Sequence, residues 1–337
     1  MKVNSIAILY KPDDRVPHQI EERHLDMVRN TAPQAEVIYA RDEQELLAKV
    51  DDADVLLTWG LYKPVTFCQK AKSLKWLHAL SAGLDGVMTP EIRNLKIRIT
   101  STKNIHGLPM GNHVLAYILS FLRCLPVFRK QQELQIWDKE MKRAHEFYGR
   151  YFRLEEAWGK TVGIVGFGSI GREIARQCKA LNMRVVALKR TPVECELLDR
   201  LYSPDELELL LRESDFVVII VPLTAATRGM IDEKKLKCMK RSAFLINVAR
   251  GPVVDEAALI KALEEGTIAG AGLDVFEIEP LPADSPLWKM PNVIITPHCA
   301  ADSPMYMDRA FKVFCDNLKR FLNDEPLLYE ADLHAGY

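Results

Sequence analysis

The chain has 337 residues, of which 48% are hydrophobic and 27% are charged, and its formal net charge is −1. A chain of this length usually exceeds one hydrophobic core, so we expect two domains. Because acidic and basic residues are interspersed and nearly balance, the composition favours neither a nucleic acid nor an anionic membrane as partner. A small molecule is the expected ligand.

The seven cysteines are scattered without a CxxC pair or a metal-ligand spacing, which predicts reduced thiols and no metal site. The N-terminal segment MKVNSIAILY enters an alternating strand pattern and lacks the small-residue cleavage site of a signal peptide. The longest apolar run, residues 216–221, is too short to span a bilayer. We therefore expect a cytoplasmic protein.

In the first third of the chain, short apolar runs alternate with polar segments of helical character such as residues 43–50. The runs predicted as strands are residues 6–9, 37–39, 55–58, 76–79 and 97–99. This alternation predicts a parallel sheet covered by helices. No glycine fingerprint for a nucleotide occurs in this part.

The middle of the chain is predicted to connect two domains. Residues 113–125 are strongly apolar and predict a connecting helix, whereas the stretch that follows to residue 151 is charged and aromatic. That stretch fits either a subunit contact or a plain surface arm.

A second series of strand-like segments begins at Lys160. TVGIV is followed by the loop GFGSIG, a helix over about residues 170–181, and then RVVAL, FVVIIV, AFLIN, AGAGLD and NVIIT. The order predicts a second doubly wound unit that carries a dinucleotide fingerprint. Residues 305–322 have helical periodicity and are expected to pack back on the first domain.

The loop GFGSIG follows a buried strand and opens a helix, which is the context that this motif requires. We expect Gly166 to permit the tight turn, Gly168 to let the backbone approach a pyrophosphate, and Gly171 to let the helix pack on the strand. The helix N-terminus, with Ser169 and Ile170, would stabilise the negative charge. The alternative is a strand-to-helix turn without a ligand.

The residues after the next strand indicate which dinucleotide binds. NAD-specific sites place an Asp or Glu there for the ribose hydroxyls, whereas this chain has Lys189 and Arg190, followed by Thr191. Two cations can hold a 2′-phosphate through charge-assisted hydrogen bonds, so NADP is the preferred cofactor. If both side chains point to solvent instead, the site would accept NAD as well.

Three residues far apart in sequence suggest the chemistry. Arg250 and His298 each follow an apolar strand, at the carboxyl end where parallel sheets build active sites. A guanidinium can bind a carboxylate through two hydrogen bonds. Glu279 can orient the imidazole of His298 and raise its pKa, which makes a proton donor near neutral pH. Each residue alone is more often a surface or structural residue.

The chain resembles the D-isomer-specific 2-hydroxyacid dehydrogenase family over nearly its whole length. The resemblance is densest over residues 160–297, where GFGSIG, VPLTAATRGMID, FLINVARGPVVDEAALIKAL, AGLDVFEIEPLP and PNVIITPH occur in the family's order. It implies two doubly wound parallel-sheet α/β domains, flavodoxin-like and Rossmann-like, with a cleft between them. It also implies a substrate domain of residues 1–104 plus 299–337, a dinucleotide-binding domain of residues 105–298, and a homodimer.

The resemblance further implies the roles of individual residues. Arg250, Glu279 and His298 would be catalytic, and the backbone of Ser81, Ala82 and Gly83 would bind the substrate carboxylate. Further positions match residues that line the cofactor, namely Val221, Pro222, Thr227, Val248, Ala249, Asp274 and His298. The implied activity is NAD(P)H-dependent reduction of a 2-oxo acid to a D-2-hydroxy acid, and the reverse, with His298 as proton donor.

The substrate is less well defined by the sequence. Trp59, Leu61 and Tyr62 follow a strand and either face the cleft or pack internally. Glyoxylate, hydroxypyruvate, branched or aromatic 2-oxo acids and phenylpyruvate are all possible substrates. Two other functions also fit the fold, namely a dinucleotide-sensing, corepressor-like interaction protein and a dehydrogenase of another oxyanion such as phosphite.

Overall fold

The structure is a computed structural model, and it describes residues 2–10, 19–40, 42–59, 64–84, 86–139 and 153–332. The chain divides into two compact units at residues 105/106 and 301/302, so that unit 1 combines residues 1–105 with 302–337 and unit 2 is residues 106–301. Leu61, Tyr62 and residues 140–152 of the predicted arm lie outside the described residues.

Unit 1 contains a five-stranded parallel sheet. Its strands are β1 (Ser5–Leu9), β2 (Glu36–Ala40), β3 (Val55–Thr58), β4 (Trp76–Ala79) and β5 (Arg98–Ser101). Between them lie the helices α1 (Glu22–Thr31), α2 (Glu43–Lys49), α3 (Val65–Lys70) and α4 (Pro90–Arg93). The strand order β2-β1-β3-β4-β5 is the flavodoxin-like order. The middle strands are buried along their whole length, which explains why they are continuous apolar runs.

Unit 2 contains a seven-stranded parallel sheet. Its strands are β6 (Thr161–Val165), β7 (Arg184–Leu188), β8 (Arg200–Tyr202), β9 (Phe216–Ile219), β10 (Phe244–Asn247), β11 (Gly270–Leu273) and β12 (Val293–Ile295). Its helices are α5 (Gly107–Leu122), α6 (Leu125–Glu133), α7 (Ser169–Ala180), α8 (Leu207–Glu213), α9 (Glu233–Cys238) and α10 (Glu256–Glu264). The order β12-β11-β10-β9-β6-β7-β8 is that of a Rossmann fold, so the α/β fold class with two parallel sheets is confirmed.

Helix α5 begins at Gly107, six residues before the predicted start at residue 113. Pro109 is tolerated because it lies in the first turn, where backbone amides have no helical partner. At Gly111, an added Cβ would lie 2.6 Å from Gln177 Nε2, so glycine lets α5 pack closely on α7. In the described parts of the chain, no single helix is long and apolar enough to cross a membrane; only α5 and α6 together, bent by 67°, meet that criterion by length and composition.

The last helix, α11 (Tyr306–Leu322), packs into the core of unit 1, as its periodicity predicts. Trp76 of β4 stacks on Phe314 and Phe321, with ring centroids 5.2 and 5.3 Å apart. The C-terminal helix therefore completes the hydrophobic core on a sheet whose strands all come from the first third of the chain.

A buried histidine lies beside these rings. His78 Nδ1 is 2.7 Å from Thr100 Oγ1, and its Nε2 is 3.0 Å from Thr102 Oγ1. Burial lowers the pKa of His78 to about 3, so this core histidine is neutral at physiological pH.

Candidate active site

The glycine loop between β6 and α7 combines two tightly packed glycines with an open one. Gly166 has a φ of +108°, and a Cβ on Gly171 would lie 2.7 Å from the Gly166 carbonyl oxygen. A Cβ on Gly168 would meet nothing within 4 Å. The positive φ at Gly166 and the close packing at Gly171 explain why both positions need glycine. The open space beside Gly168 leaves room for a ligand.

The start of α7 fits a dinucleotide pyrophosphate. Gly168 is the N-cap residue and has no side chain with which to cap the helix, and Ser169 and Ile170 form the first turn. The amides of a first turn have no helical partners, and the helix dipole favours an anion there. The open face at Gly168 and these amides form a cradle of the kind that binds phosphate groups.

The cations after β7 are placed differently from one another. Lys189 is half-buried, and its Nζ donates a hydrogen bond to the Phe167 carbonyl oxygen at 2.9 Å, which was not predicted. Arg190 and Thr191 are exposed at the same end of the strand. Lys189 therefore stabilises the glycine loop through its backbone, and Arg190 is the more exposed of the two cationic side chains.

The loop after β10 holds Arg250 through its own backbone. The buried Asn247 side chain accepts a hydrogen bond from the Ala249 amide at 3.1 Å and donates one to the Arg250 carbonyl oxygen at 3.2 Å. Arg250 Nη1 donates to the Ala249 carbonyl oxygen at 2.7 Å. A Cβ on Gly251 would lie 1.9 Å from the carbonyl carbon of Phe276, so only glycine fits there.

Other predicted cofactor positions lie near the carboxyl ends of β9 and β10. Val248 and Ala249 are buried, and Val221 is half-buried. The Thr227 hydroxyl donates to the Pro222 carbonyl oxygen at 2.6 Å and accepts from the Thr224 amide at 2.8 Å. Thr227 thus stabilises its own turn, and its predicted contact with the cofactor stays a prediction.

The pair predicted from Glu279 and His298 is present. His298 Nδ1 lies 2.7 Å from Glu279 Oε2, and Glu279 Oε1 accepts a hydrogen bond from the Phe276 amide at 3.0 Å. The backbone of His298 has a φ of +54°, in the left-handed region. With Nδ1 on the carboxylate, Nε2 is the nitrogen that can exchange a proton with a substrate.

The electrostatics of this pair favour its charged form. The hydrogen bond with Glu279 raises the pKa of His298 and outweighs the opposing effects of burial and of the Arg250 charge. Burial alone would raise the pKa of Glu279, but hydrogen bonds from His298 and the Phe276 amide, with the charges of His298 and Arg250, hold it below its usual range. The charge of Arg250 thus acts on both Glu279 and His298 within unit 2.

Asp274 organises the segment that contains His298. Its buried carboxylate accepts hydrogen bonds from the amides of Cys299 at 2.9 Å and Ala300 at 3.0 Å and from the Thr296 hydroxyl. Its main-chain carbonyl accepts the His298 amide hydrogen at 2.8 Å. This anchoring role was not predicted, because the partners lie more than twenty residues away in sequence.

The predicted substrate residues of unit 1 differ in exposure and in the groups that they contact. Ser81 Oγ donates to the Gly83 carbonyl oxygen at 2.6 Å, and Ser81, Ala82 and Gly83 are half-buried. Trp59 is 8% exposed, with ring centroids 6.0 Å from Tyr10 and 5.5 Å from Tyr306. Within unit 1, Trp59 is therefore packed internally.

Sequence comparison gives the family. Residues 115–300 match the model of the D-isomer specific 2-hydroxyacid dehydrogenase NAD binding domain. The glyoxylate reductase of Pyrococcus furiosus is 36% identical over 324 residues, 94% of each chain. The glyoxylate reductase of Pyrococcus horikoshii is 37% identical over 326 residues, again 94% of each chain. The chain therefore belongs to the D-isomer-specific 2-hydroxyacid dehydrogenase family, an NAD(P)-dependent class of oxidoreductases, as its motifs predict.

Solved structures agree with this assignment. A D-isomer specific 2-hydroxyacid dehydrogenase from Xanthobacter autotrophicus, in complex with NADPH and MES, has a TM-score of 0.82 at 30% identity over the whole of both chains. An NADPH-dependent glyoxylate/hydroxypyruvate reductase from Sinorhizobium meliloti, in complex with NADP and sulfate, has a TM-score of 0.82 at 28% identity over the whole of both chains.

Among the residues that the structure describes here, no group of three His, Cys, Asp or Glu side chains could hold a metal ion.

Proposed function

We propose that the protein reduces a small 2-oxo acid to a D-2-hydroxy acid with NADPH, and catalyses the reverse reaction, with His298 as proton donor and acceptor. The observation that carries this proposal is the 2.7 Å contact between His298 Nδ1 and Glu279 Oε2, with Arg250 close enough to influence both. A cationic imidazole beside a carboxylate can donate a proton, and a guanidinium can bind the carboxylate of an acid.

Each residue has a distinct task in this mechanism. His298 Nε2 gives its proton to the carbonyl oxygen of the substrate, and Glu279 stabilises the imidazolium before the transfer. Arg250 binds the substrate carboxylate or polarises its carbonyl group. The reduced nicotinamide, when bound, supplies the hydride. In the oxidative direction neutral His298 accepts the hydroxyl proton, and Glu279 stabilises the cation that forms.

Glyoxylate and hydroxypyruvate are the substrates we propose to test first. Their choice is supported by two relatives described as glyoxylate reductases and by a structural relative described as a glyoxylate/hydroxypyruvate reductase. NADP as the preferred cofactor is supported by the exposed Arg190 after β7 and by two relatives with NADPH or NADP bound. The carboxylate role of residues 81–83, a homodimer and a cytoplasmic location stay predictions.

The test is the loss of absorbance at about 340 nm, where reduced nicotinamide absorbs, with NADPH and separately NADH. The substrate panel is glyoxylate, hydroxypyruvate, pyruvate, 2-oxoisocaproate and phenylpyruvate. We expect turnover with NADPH, and a His298→Asn variant that loses roughly a hundredfold or more in kcat with little change in dinucleotide affinity. Tight NADPH binding without turnover of any 2-oxo acid would contradict the proposal and favour a dinucleotide sensor.

A further inference from the structure

The Thr296 hydroxyl is the meeting point of three side chains in unit 2. Tyr117 Oη lies 2.6 Å from Thr296 Oγ1, and His113 Nε2 lies 3.0 Å from the same atom. Thr296 Oγ1 itself donates to Asp274 Oδ1. Tyr117 and His113 both belong to α5, whereas Thr296 and Asp274 follow β12 and β11.

Proton counting fixes the direction of these hydrogen bonds. The Asp274 carboxylate already accepts the Cys299 and Ala300 amides on its two oxygens, so it also accepts the single hydrogen of Thr296. Thr296 Oγ1 can therefore only accept hydrogen bonds from the side chains of α5. Tyr117 must donate its hydroxyl hydrogen, and His113 must donate from a protonated Nε2.

The donors on α5 are held in fixed positions. A Cβ on Gly272 of β11 would lie 2.8 to 3.0 Å from the Tyr117 ring, so the ring is packed directly against the strand. His113 packs edge-on against Tyr117, with ring centroids 4.8 Å apart and an interplanar angle of 89°. Tyr117 is buried at 3% exposure, so its hydroxyl has little freedom to find another partner.

On its other side, Asp274 holds the backbone of the proton donor. Its carbonyl accepts the His298 amide, and its carboxylate accepts the next two amides, of Cys299 and Ala300. His298 has a left-handed φ of +54°, which a residue other than glycine adopts only when its surroundings impose it. Asp274 thus holds the backbone of residues 298–300, and the Thr296 hydroxyl links Asp274 to α5.

We propose that Tyr117 and His113 are positioning residues for His298, acting through the Thr296 hydroxyl and the Asp274 carboxylate. This inference deepens the proposed function, because the role of His298 in turnover rests on that function. The orientation of His298 toward Glu279 can nevertheless be measured without turnover, so the two proposals can fail separately.

The first experiment compares Tyr117→Phe, Thr296→Val and Thr296→Ser in NADPH-dependent reduction of glyoxylate. Phenylalanine keeps the packed ring, valine keeps the shape of threonine without its hydroxyl, and serine restores the hydroxyl. We expect kcat to fall about tenfold or more in Tyr117→Phe and Thr296→Val, with KM for NADPH nearly unchanged and Thr296→Ser close to wild type. A Thr296→Ser variant as impaired as Thr296→Val would overturn the proposal, since shape alone would then explain the loss.

The second experiment does not use turnover. The titration of the His298 ring is followed by NMR in histidine-labelled protein, with the signal assigned from a His298→Asn variant. If Tyr117→Phe and Thr296→Val weaken the contact with Glu279, the midpoint for His298 moves to lower pH in both variants and stays in place in Thr296→Ser. An unchanged midpoint in Tyr117→Phe and Thr296→Val would overturn the positioning role, whether or not the protein reduces glyoxylate.

A control and a coupling measurement complete the design. Thr100→Val removes a buried hydroxyl from unit 1, where Thr100 contacts His78 and Trp76, and should leave kcat and the His298 midpoint unchanged. The double variant Tyr117→Phe/Thr296→Val should lose no more kcat than Thr296→Val alone, because both changes break one chain of hydrogen bonds. Independent, multiplicative losses would contradict action through Thr296.

Discussion

Gly251 lies so close to Phe276 that a methyl group on its Cα would stand 1.9 Å from the Phe276 carbonyl carbon. The loop of Arg250 is therefore in backbone contact with the loop that leads to Glu279. The amide of Phe276 also donates to Glu279 at 3.0 Å, so Phe276 contacts both the Glu279 carboxylate and the backbone next to Arg250. Main-chain contacts therefore set the spacing between the Arg250 loop and the Glu279–His298 pair.

Gly251→Ala should therefore separate the two loops. Because the added methyl group meets backbone atoms that have no alternative rotamer, we expect a loss of about 1–3 kcal/mol in the free energy of unfolding and a large fall in kcat/KM. Thermal denaturation and steady-state kinetics measure the two effects. An alanine variant with wild-type stability and activity would show that these loops are not held by this contact.

Gly168→Ala and Gly171→Ala should have opposite effects. The methyl group at position 168 enters open space, so the melting temperature should stay near wild type while NADPH binds more weakly. The methyl group at position 171 would lie 2.7 Å from the Gly166 carbonyl oxygen and should lower the melting temperature. Calorimetric titration with NADPH, alongside melting curves, distinguishes them; unaltered NADPH affinity in Gly168→Ala would remove the open face from the dinucleotide site.

Glu279→Gln should move the pH dependence of reduction to lower pH. In the proposed mechanism reduction needs protonated His298, so the rate should fall as pH rises through the His298 pKa, which the hydrogen bond with Glu279 raises. Because glutamine is neutral, the pKa of His298 should fall, and the decline of kcat/KM with rising pH should begin at a lower pH. The measurement is kcat/KM for glyoxylate from about pH 5 to about pH 9. Glu277→Gln, the same change two residues away, is the control, and an equal shift in both variants would contradict a specific pair.

Lys189 and Arg190 should have separable effects on cofactor choice. Arg190→Ser should reduce the ratio of kcat/KM for NADPH over NADH roughly tenfold or more, since a charge-assisted hydrogen bond to the 2′-phosphate contributes about 1.5–3 kcal/mol. Lys189→Met should lower the affinity for NADPH and for NADH alike, because the Nζ of Lys189 donates to the Phe167 carbonyl oxygen of the glycine loop. If Arg190→Ser leaves the ratio unchanged while Lys189→Met alters it, the assignments must be exchanged.

His78 should make unit 1 sensitive to acid. Its pKa is about 3 in the folded protein, against an ordinary value of 6.5, so between these limits the unfolded chain binds one more proton. Stability therefore falls as pH drops through this window, by up to about 1.4 kcal/mol per pH unit from this residue. His78→Gln should be less stable near neutral pH but show a shallower acid slope in urea denaturation. Parallel slopes for the two proteins would contradict the assignment.

Much of the fold follows from local pattern. The apolar runs around Ile8 and Leu56 predict buried parallel strands, because both faces of such strands are covered. The glycine loop predicts the turn before α7, since Gly166 has a positive φ and Gly171 packs against the Gly166 carbonyl oxygen. Arg250 and His298 can be predicted as candidate site residues because each comes shortly after a strand, and the carboxyl ends of parallel strands converge.

Other features depend on partners that are distant in sequence. Strand β8 (Arg200–Tyr202) is three residues long and carries too little pattern to predict. Asp274 as an anchor of residues 296–300, and Asn247 as the support of Arg250, become evident only when the loops are placed side by side. Lys189 illustrates the same limit, because a charge suited to a phosphate also suits a nearby carbonyl oxygen.

Helix α11 has a consequence for the order of folding during synthesis. Residues 106–301 are all made before α11, whose Phe314 and Phe321 stack on Trp76 of β4. All residues of unit 2, which carries Arg250, Glu279 and His298, are therefore synthesised before the last helix of unit 1. Until α11 emerges, the sheet of unit 1 lacks its aromatic cover, and in this interval nascent chains would have the greatest need of chaperones.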